Sequence, residues 1–430
     1  MSRREWEDRA QMISVDDAFE RIVGRFRPLA PVRVPLLDAV GMVLAVDIPA
    51  TTAVPPFRNS AMDGFALRSE DTAGATPEAP VELRVAATVA AGDAAEVEVG
   101  PGEAVRIMTG APLPPGANTV IRFEEVDSPD IDGTGVATIA VRRPVPPHDN
   151  VREPGEDLPV GEIALRAGVQ LGPAEIGALA ALNVAEVEVH RRPRVAVLST
   201  GDEVQDLGPE LRPGKIRDAN SYALAAMIVS CGGEAARLGI AGDSVAELRE
   251  RLREARDFDL IVTSGGVSHG DYDVVKDVLQ ADGAIELWTV RMKPGKPLAF
   301  GEIGGTPLLG LPGNPAAALV SFDQFGRPAI LKMLGHRELR LPEITARLTE
   351  PINNRGGRRH FERGVVRFRS GEYQVRTTGI HGSAMLSAMM AANCYIVVPE
   401  ERERVEAGEI VTVQLFGGNF PSEREQEEGP

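Results

Sequence analysis

DLIVTSGGVSHGDYDVVK, residues 259–276, is the stretch on which the fold turns. Leu260, Ile261 and Val262 form an apolar run too short for a helix, and it ends in Thr263, Ser264 and two glycines. That pattern predicts a buried strand running into a tight loop. Beyond the loop, Val274, Val275, Val278 and Leu279 recur at helical spacing, with Asp271 or Asp273 available as N-cap. Strand, glycine loop and helix start, in that order, present free backbone N–H groups and a positive helix end, which suit an anion. Asp271 and Asp273 would repel a bare phosphate, so the loop suggests a phosphate bridged by a cation. Gly270 is followed by Asp271 rather than Lys-Ser/Thr, so this is not a Walker A loop, and the G-x-G-x-x-G spacing is absent. Read alone, the stretch is equally a strand-to-helix turn with capping aspartates.

The flanking sequence repeats the alternation. RVAVLST, from Arg194, is a strand that ends in Gly201, Asp202 and Glu203. Asn220 and Ser221 are expected to cap a helix that stops at Gly232-Gly233, and ARLGI follows as a strand. Ser244 and Glu247 form a capping box for AELRERLREA. After the central loop come ELWTVRMKPGKPLAFG and TPLLGLPGNP, then a helix with Pro315 at its first position. Alternating β and α predicts a doubly wound, mostly parallel sheet over residues 191–335. Ligands of such sheets sit at the carboxyl ends of the strands. That edge should gather Asp202, Glu203, Asp243, the loop from Ser264 to Asp273, and Pro312 to Pro315, with Lys293 and Lys296 supplying positive charge. Each has a plainer role if taken singly: Asp243 as a cap, the lysines as solvated loop charges.

Composition sets outer limits. A chain of 430 residues should hold about three domains. Hydrophobic residues make up 43% and aromatics 4%, so the cores rest on Val, Leu, Ile and Ala. A formal charge of −17 argues against a general nucleic-acid or anionic-membrane binder, though not against a local basic pocket. Cys231 and Cys394 are too few for a disulfide framework, and no C-x-x-C or H-x-x-H spacing offers a zinc site. The polar start MSRREWEDRAQ carries no signal-peptide core and no apolar run approaches bilayer length, so a cytoplasmic protein is expected.

Upstream, Ser14 opens a helix whose stripe is Val15, Ala18, Phe19, Ile22, Val23 and Phe26. Residues 51–71, TTAVPPFRNSAMDGFALRSED, set the turn formers Asn59, Ser60, Asp63 and Gly64 among apolar neighbours. That cluster is either a site or a plain turn. From 80 to 145 the pattern is β, with Thr109-Gly110 leading into a proline-stiffened loop. Residues 340–418 return to short alternating strands and predict a small barrel, followed by an acidic tail, 419–430, expected to be disordered. The expected division is 1–50 with 150–190 as an N-terminal mixed domain, 51–149 as an inserted β-rich domain, 191–335 as the α/β domain and 340–418 as the barrel.

Eight segments in order give the chain a specific resemblance: PPFRNSAMDGFALR, RIMTGAPLPPGA, NVREPGED, RVAVLSTGDEV, SGGVSHGDYDVVK, KPGKPLAFG, LPGNP and GSAMLSAMMAAN. They resemble the molybdopterin molybdenumtransferases, the molybdate-insertion enzymes related to the C-terminal domain of gephyrin, over nearly the whole chain. The resemblance implies an L-shaped homodimer of four-domain subunits. Its substrates would be adenylylated molybdopterin and molybdate, with the pyrophosphate cleaved and AMP released as the molybdenum cofactor forms. By match of position it assigns Asp63, Thr109 and Asp157 to the N-terminal half, which in the family closes over the α/β domain of the partner subunit. Glu203, Asp243 and Asp273 match the acidic group around Mg²⁺. Ser264, Gly265, Gly266, Ser268, Pro312, Gly313, Asn314 and Pro315 fall on the substrate loops, and Lys293, Lys296, Arg363 and Ser383 match positions linked to molybdate. Implied partners are a second subunit, a molybdopterin adenylyltransferase and molybdoenzyme maturation proteins. Ala316-Ala317 stands where the family usually has Val-Ser, so one hydroxyl near the anion is missing. Two other roles compete. The α/β domain alone resembles molybdopterin adenylyltransferases, which have no use for residues 51–190 or the barrel. A gephyrin-like scaffold would need an attached adenylyltransferase domain and a long linker, which this chain lacks.

Overall fold

The structure is a computed structural model that describes residues 12–127, 138–208, 210–242, 245–266, 286–380 and 382–417. Its centre is a six-stranded sheet. Glu234–Ala241, Arg194–Thr200, Leu260–Ser264 and Thr306–Leu311 lie side by side and parallel, and Pro297–Ile303 and Glu286–Thr289 extend them antiparallel. The parallel strands are covered on both faces, so they read as unbroken apolar runs rather than alternating ones. Arg194–Thr200 shows the consequence: Val195 and Val197 enter one core, while Ala196 and Leu198 enter a second on the opposite face. Helix Val245–Glu254 closes the second core through Leu248 and Leu252, and helix Ala219–Ser230 closes the first through Leu224 and Ile228.

The first helix, Val15–Val23, begins at Ser14, whose Oγ accepts from the Asp17 N–H at 2.9 Å. Its stripe is buried against Phe322, Phe325 and Ile330 of the central core. Asp218, not Asn220 or Ser221, caps the helix Ala219–Ser230, because its carboxylate accepts from the Ser221 N–H at 3.1 Å. The helix expected after Pro315 is interrupted. Pro315–Ser321 and Arg327–Met333 are joined by a π turn, Phe322–Gly326. Pro328 has no N–H for the helical ladder and its ring displaces the carbonyl one turn back, so the widened turn absorbs the misfit. The capping box expected at Ser244 lies outside the described residues.

Two further units flank this centre. Thr119–Arg122, Gly64–Leu67, Glu103–Ile107, Val81–Val89, Thr138–Val141 and Val126–Asp127 form a six-stranded sheet of their own. Toward the C-terminus, Glu343–Leu348, Arg359–Arg369, Glu372–Thr377, Cys394–Val398 and Ile410–Leu415 pair in a closed ring of five, since Arg359–Arg369 bonds both Glu372–Thr377 and Cys394–Val398. Met292–Lys293 adds to that barrel in parallel, with Lys293 opposite His360. This pairing ties the barrel to the loop leaving the central sheet. No helix among the described residues is long and apolar enough to cross a membrane.

Candidate active site

The carboxyl ends of the central strands meet the barrel in a cleft of about 1340 Å³. Its floor is made by two loops in contact. Gly265 (φ +95°) follows the strand Leu260–Ser264, and a Cβ there would come within 2.8 Å of Thr200 Oγ1. Only glycine takes that backbone path without strain. Gly313, after the strand Thr306–Leu311, would place a Cβ 3.6 Å from the Gly265 Cα. Asn220 clamps the two loops: its Nδ2 donates to Ser264 Oγ at 2.8 Å and to the Gly313 carbonyl at 2.7 Å. Its Oδ1 is buried without a partner. Behind it the buried Asp218 accepts from Ser199 Oγ at 2.8 Å and from Ser221 Oγ at 2.6 Å. The Ser199–Asp218 bond fixes the end of the strand Arg194–Thr200 to the start of the helix Ala219–Ser230.

The opposite wall carries positive charge. Lys293 and Lys296 flank Pro294 and Gly295, and Arg363 reaches the cleft from the barrel strand, only 3% exposed. Arg363 Nη2 donates to the Gly382 carbonyl at 3.3 Å, while its Nε has no partner. Asn314 Nδ2 donates to Ser383 Oγ at 3.1 Å, and the Ala317 N–H donates to the Ser383 carbonyl at 3.3 Å. Cations and hydroxyls converging on one wall suit a tetrahedral oxyanion. Glu203 also lines the cleft, its carboxylate folded over Gly201.

The cleft therefore brings together Glu203, Ser264, Gly265, Gly266, Lys293, Lys296, Pro312, Gly313, Asn314, Pro315, Arg363 and Ser383. Asp243, Ser268 and Asp273 lie outside the described residues. Asp63, Thr109 and Asp157 are elsewhere: every described residue lining the cleft falls between Ser199 and Ala384. Asp63 precedes the strand Gly64–Leu67, and its Oδ1 accepts from the Thr109 N–H at 2.7 Å and from Thr109 Oγ1 at 2.8 Å. The Thr109 backbone donor first, and its hydroxyl second, hold the Asp63 carboxyl below the usual carboxylate range. Asp157 sits on an exposed turn where its N–H donates to the Val54 carbonyl at 3.0 Å.

Sequence reasoning missed Asn220, Asp218, His360 and Glu362. Asn220 and Ser221 looked like ordinary caps, and a shift of the cap two residues back to Asp218 frees Asn220 for the loops. His360 and Glu362 stand beside Arg363 in HFERG, at alternate positions that share one face of the strand, and that spacing was the available signal.

Residues 13–183 match the MoeA N-terminal region (domain I and II), 196–332 a probable molybdopterin binding domain, and 345–416 the MoeA C-terminal region (domain IV). The chain belongs to the MoeA family of molybdopterin molybdenumtransferases. It is 40% identical over 404 residues to molybdopterin molybdenumtransferase 2 of Mycobacterium tuberculosis, covering 92% of this chain and 98% of that protein. Against the molybdopterin molybdenumtransferase of Haemophilus influenzae the identity is 37% over 409 residues, covering 94% and 99%. The solved molybdopterin biosynthesis moeA protein of Pyrococcus horikoshii OT3 superposes with a TM-score of 0.82 at 31% identity, covering 94% of this chain and all of that one. As a MoeA-family member the chain is a transferase of molybdenum cofactor biosynthesis.

Proposed function

We propose that the chain inserts molybdate into adenylylated molybdopterin and releases AMP, as a homodimer in the cytoplasm. One observation carries this reading: a single cleft is lined by Lys293, Lys296, Arg363 and Ser383 together with the glycine loop and Glu203. The cationic wall would hold the molybdate oxyanion by charge-assisted bonds, and the loop N–H groups would orient the phosphates.

The oxygen donors on the Glu203 side fit a hard divalent cation. Glu203, with Asp243 and Asp273, would hold Mg²⁺, which when bound neutralises the pyrophosphate and polarises it for cleavage. Among the described residues no group of three or more acidic, His or Cys side chains gathers.

The separation of Asp63 and Thr109 from the cleft supports a dimer in which the second subunit supplies them. The free thiols of Cys231 and Cys394, both pushed up to about 12 by burial, fit a reducing compartment. The deciding assay supplies adenylylated molybdopterin, molybdate and Mg²⁺ and measures AMP. Turnover instead with free molybdopterin and ATP would assign the chain to adenylyl transfer.

A further inference from the structure

His360 is 2% exposed, lines the cleft, and has no hydrogen-bond partner at either ring nitrogen. A buried imidazole left this way is rare, because desolvating an unpaired polar group costs free energy that folding does not recover. Its surroundings are charged. Glu362, two residues on and therefore on the same face of the strand, places Oε2 3.1 Å from His360 Nε2, close enough for an ion pair but not aligned as a hydrogen bond. Lys293 lies directly opposite His360 in the neighbouring strand, while the strand on the other side brings only Val398 opposite it. Arg363, next to Glu362, has an unpartnered Nε and an Nη1 3.6 Å from Glu362 Oε1.

We propose that His360 is a further residue of the oxyanion site, its Nδ1–H donating to bound molybdate while Glu362 accepts from Nε2–H, so that the anion binds together with one proton. The inference rests on the reading of the cleft as a molybdate site.

The proton follows from counting donors. A carboxylate can only accept and a tetrahedral oxyanion can only accept, so a ring bridging them carries a proton on both nitrogens. In the free protein, burial first, then Lys293 and Arg363, hold the imidazole below its ordinary range against the pull of Glu362, so the ring is neutral at pH 7.5. A dianion arriving beside it offsets both cations and draws a proton from solvent. Glu203, Arg217, Asp218, Lys296, Glu350 and Arg358 are the other charged residues that line the cleft.

The test is calorimetric titration of sodium molybdate into the full-length protein at pH 7.5, in two buffers of different ionisation enthalpy. The expected result is uptake of about one proton per molybdate, lost in His360→Gln, whose affinity falls about tenfold or more. Buffer-independent heats from the wild-type protein would overturn the proposal, and so would uptake that survives in His360→Gln. The wild-type measurement stands even if the variant does not fold. Arg363→Gln separates the two levels of the account. If the wild-type protein binds no molybdate, or Arg363→Gln binds it normally, the oxyanion-site reading itself fails. If Arg363→Gln weakens binding while proton uptake is absent, only His360 is removed.

Discussion

Thr109 donates twice to one oxygen of Asp63, through its N–H at 2.7 Å and its hydroxyl at 2.8 Å, and neither residue lines the cleft that holds Arg363 and Lys296. Asp63 is thus an exposed carboxylate held in place by two donors. The account assigns it to the partner subunit's cleft. Two inactive variants, Asp63→Asn and Arg363→Gln, should therefore complement each other. Mixed and reassociated in equal amounts, half the dimers would be mixed and carry one intact site of two, restoring about a quarter of wild-type AMP release. No recovery beyond the sum of the separate variants would place both residues in one subunit's site.

Asn220 bonds both substrate loops, through Ser264 Oγ and the Gly313 carbonyl. Asn220→Ala removes both bonds and leaves the loops joined by their direct contacts, Ser264 Oγ to the Pro312 carbonyl at 3.3 Å and the Gly265 N–H to the Leu311 carbonyl at 3.0 Å. A stability loss of about 1–3 kcal/mol is expected, with a larger effect on the half-saturating concentration of adenylylated molybdopterin than on thermal melting. Unchanged substrate dependence in a folded variant would show that the loops hold their positions without it.

Ala317 is 3% exposed on the cleft wall, and its N–H is bonded to the Ser383 carbonyl at 3.3 Å. Ala317→Ser adds a hydroxyl beside the cationic wall with little added volume. It should lower the molybdate concentration for half-maximal insertion, by at most the worth of one bond to a charged acceptor, about 1.5–3 kcal/mol. A weakened molybdate dependence would place the anion away from this helix start.

The sheet and the barrel were legible in the sequence because each rests on a period. LIVTS and RVAVLST are strands buried on both faces, and in the barrel Glu343–Leu348 and Glu372–Thr377 bury alternate residues. What escaped depends on chain segments far apart. Asp218 rather than Asn220 caps its helix because Ser199 Oγ, 19 residues earlier, donates to it at 2.8 Å. The break at Phe322–Gly326 follows from Pro328, yet its form depends on the buried pair beneath it, where Tyr395 donates to Asp323 at 2.6 Å. His360 passed unnoticed because its surroundings are set by Lys293 on another strand.

That buried pair predicts a pH dependence of stability. Burial first pushes the Asp323 carboxyl up to about 6 from 3.8, against the Tyr395 hydrogen bond. Its folded pKa is raised, so its contribution is fully present below the unfolded value and is lost as pH rises through about 6. The difference in urea stability between wild type and Asp323→Asn should therefore move against the wild type between pH 4.5 and pH 7. A difference that stays constant over that range would mean that Asp323 keeps one charge state throughout.

The central claim is that one cleft cleaves the adenylylated substrate as molybdate enters. The most direct measurement incubates the purified full-length chain with adenylylated molybdopterin, molybdate and Mg²⁺, and quantifies AMP against cofactor that reactivates a molybdenum-free apoenzyme. The account predicts one AMP for each cofactor formed, with both lost in Arg363→Gln and on chelation of Mg²⁺. AMP release that is indifferent to molybdate, or cofactor formed without AMP, would contradict it.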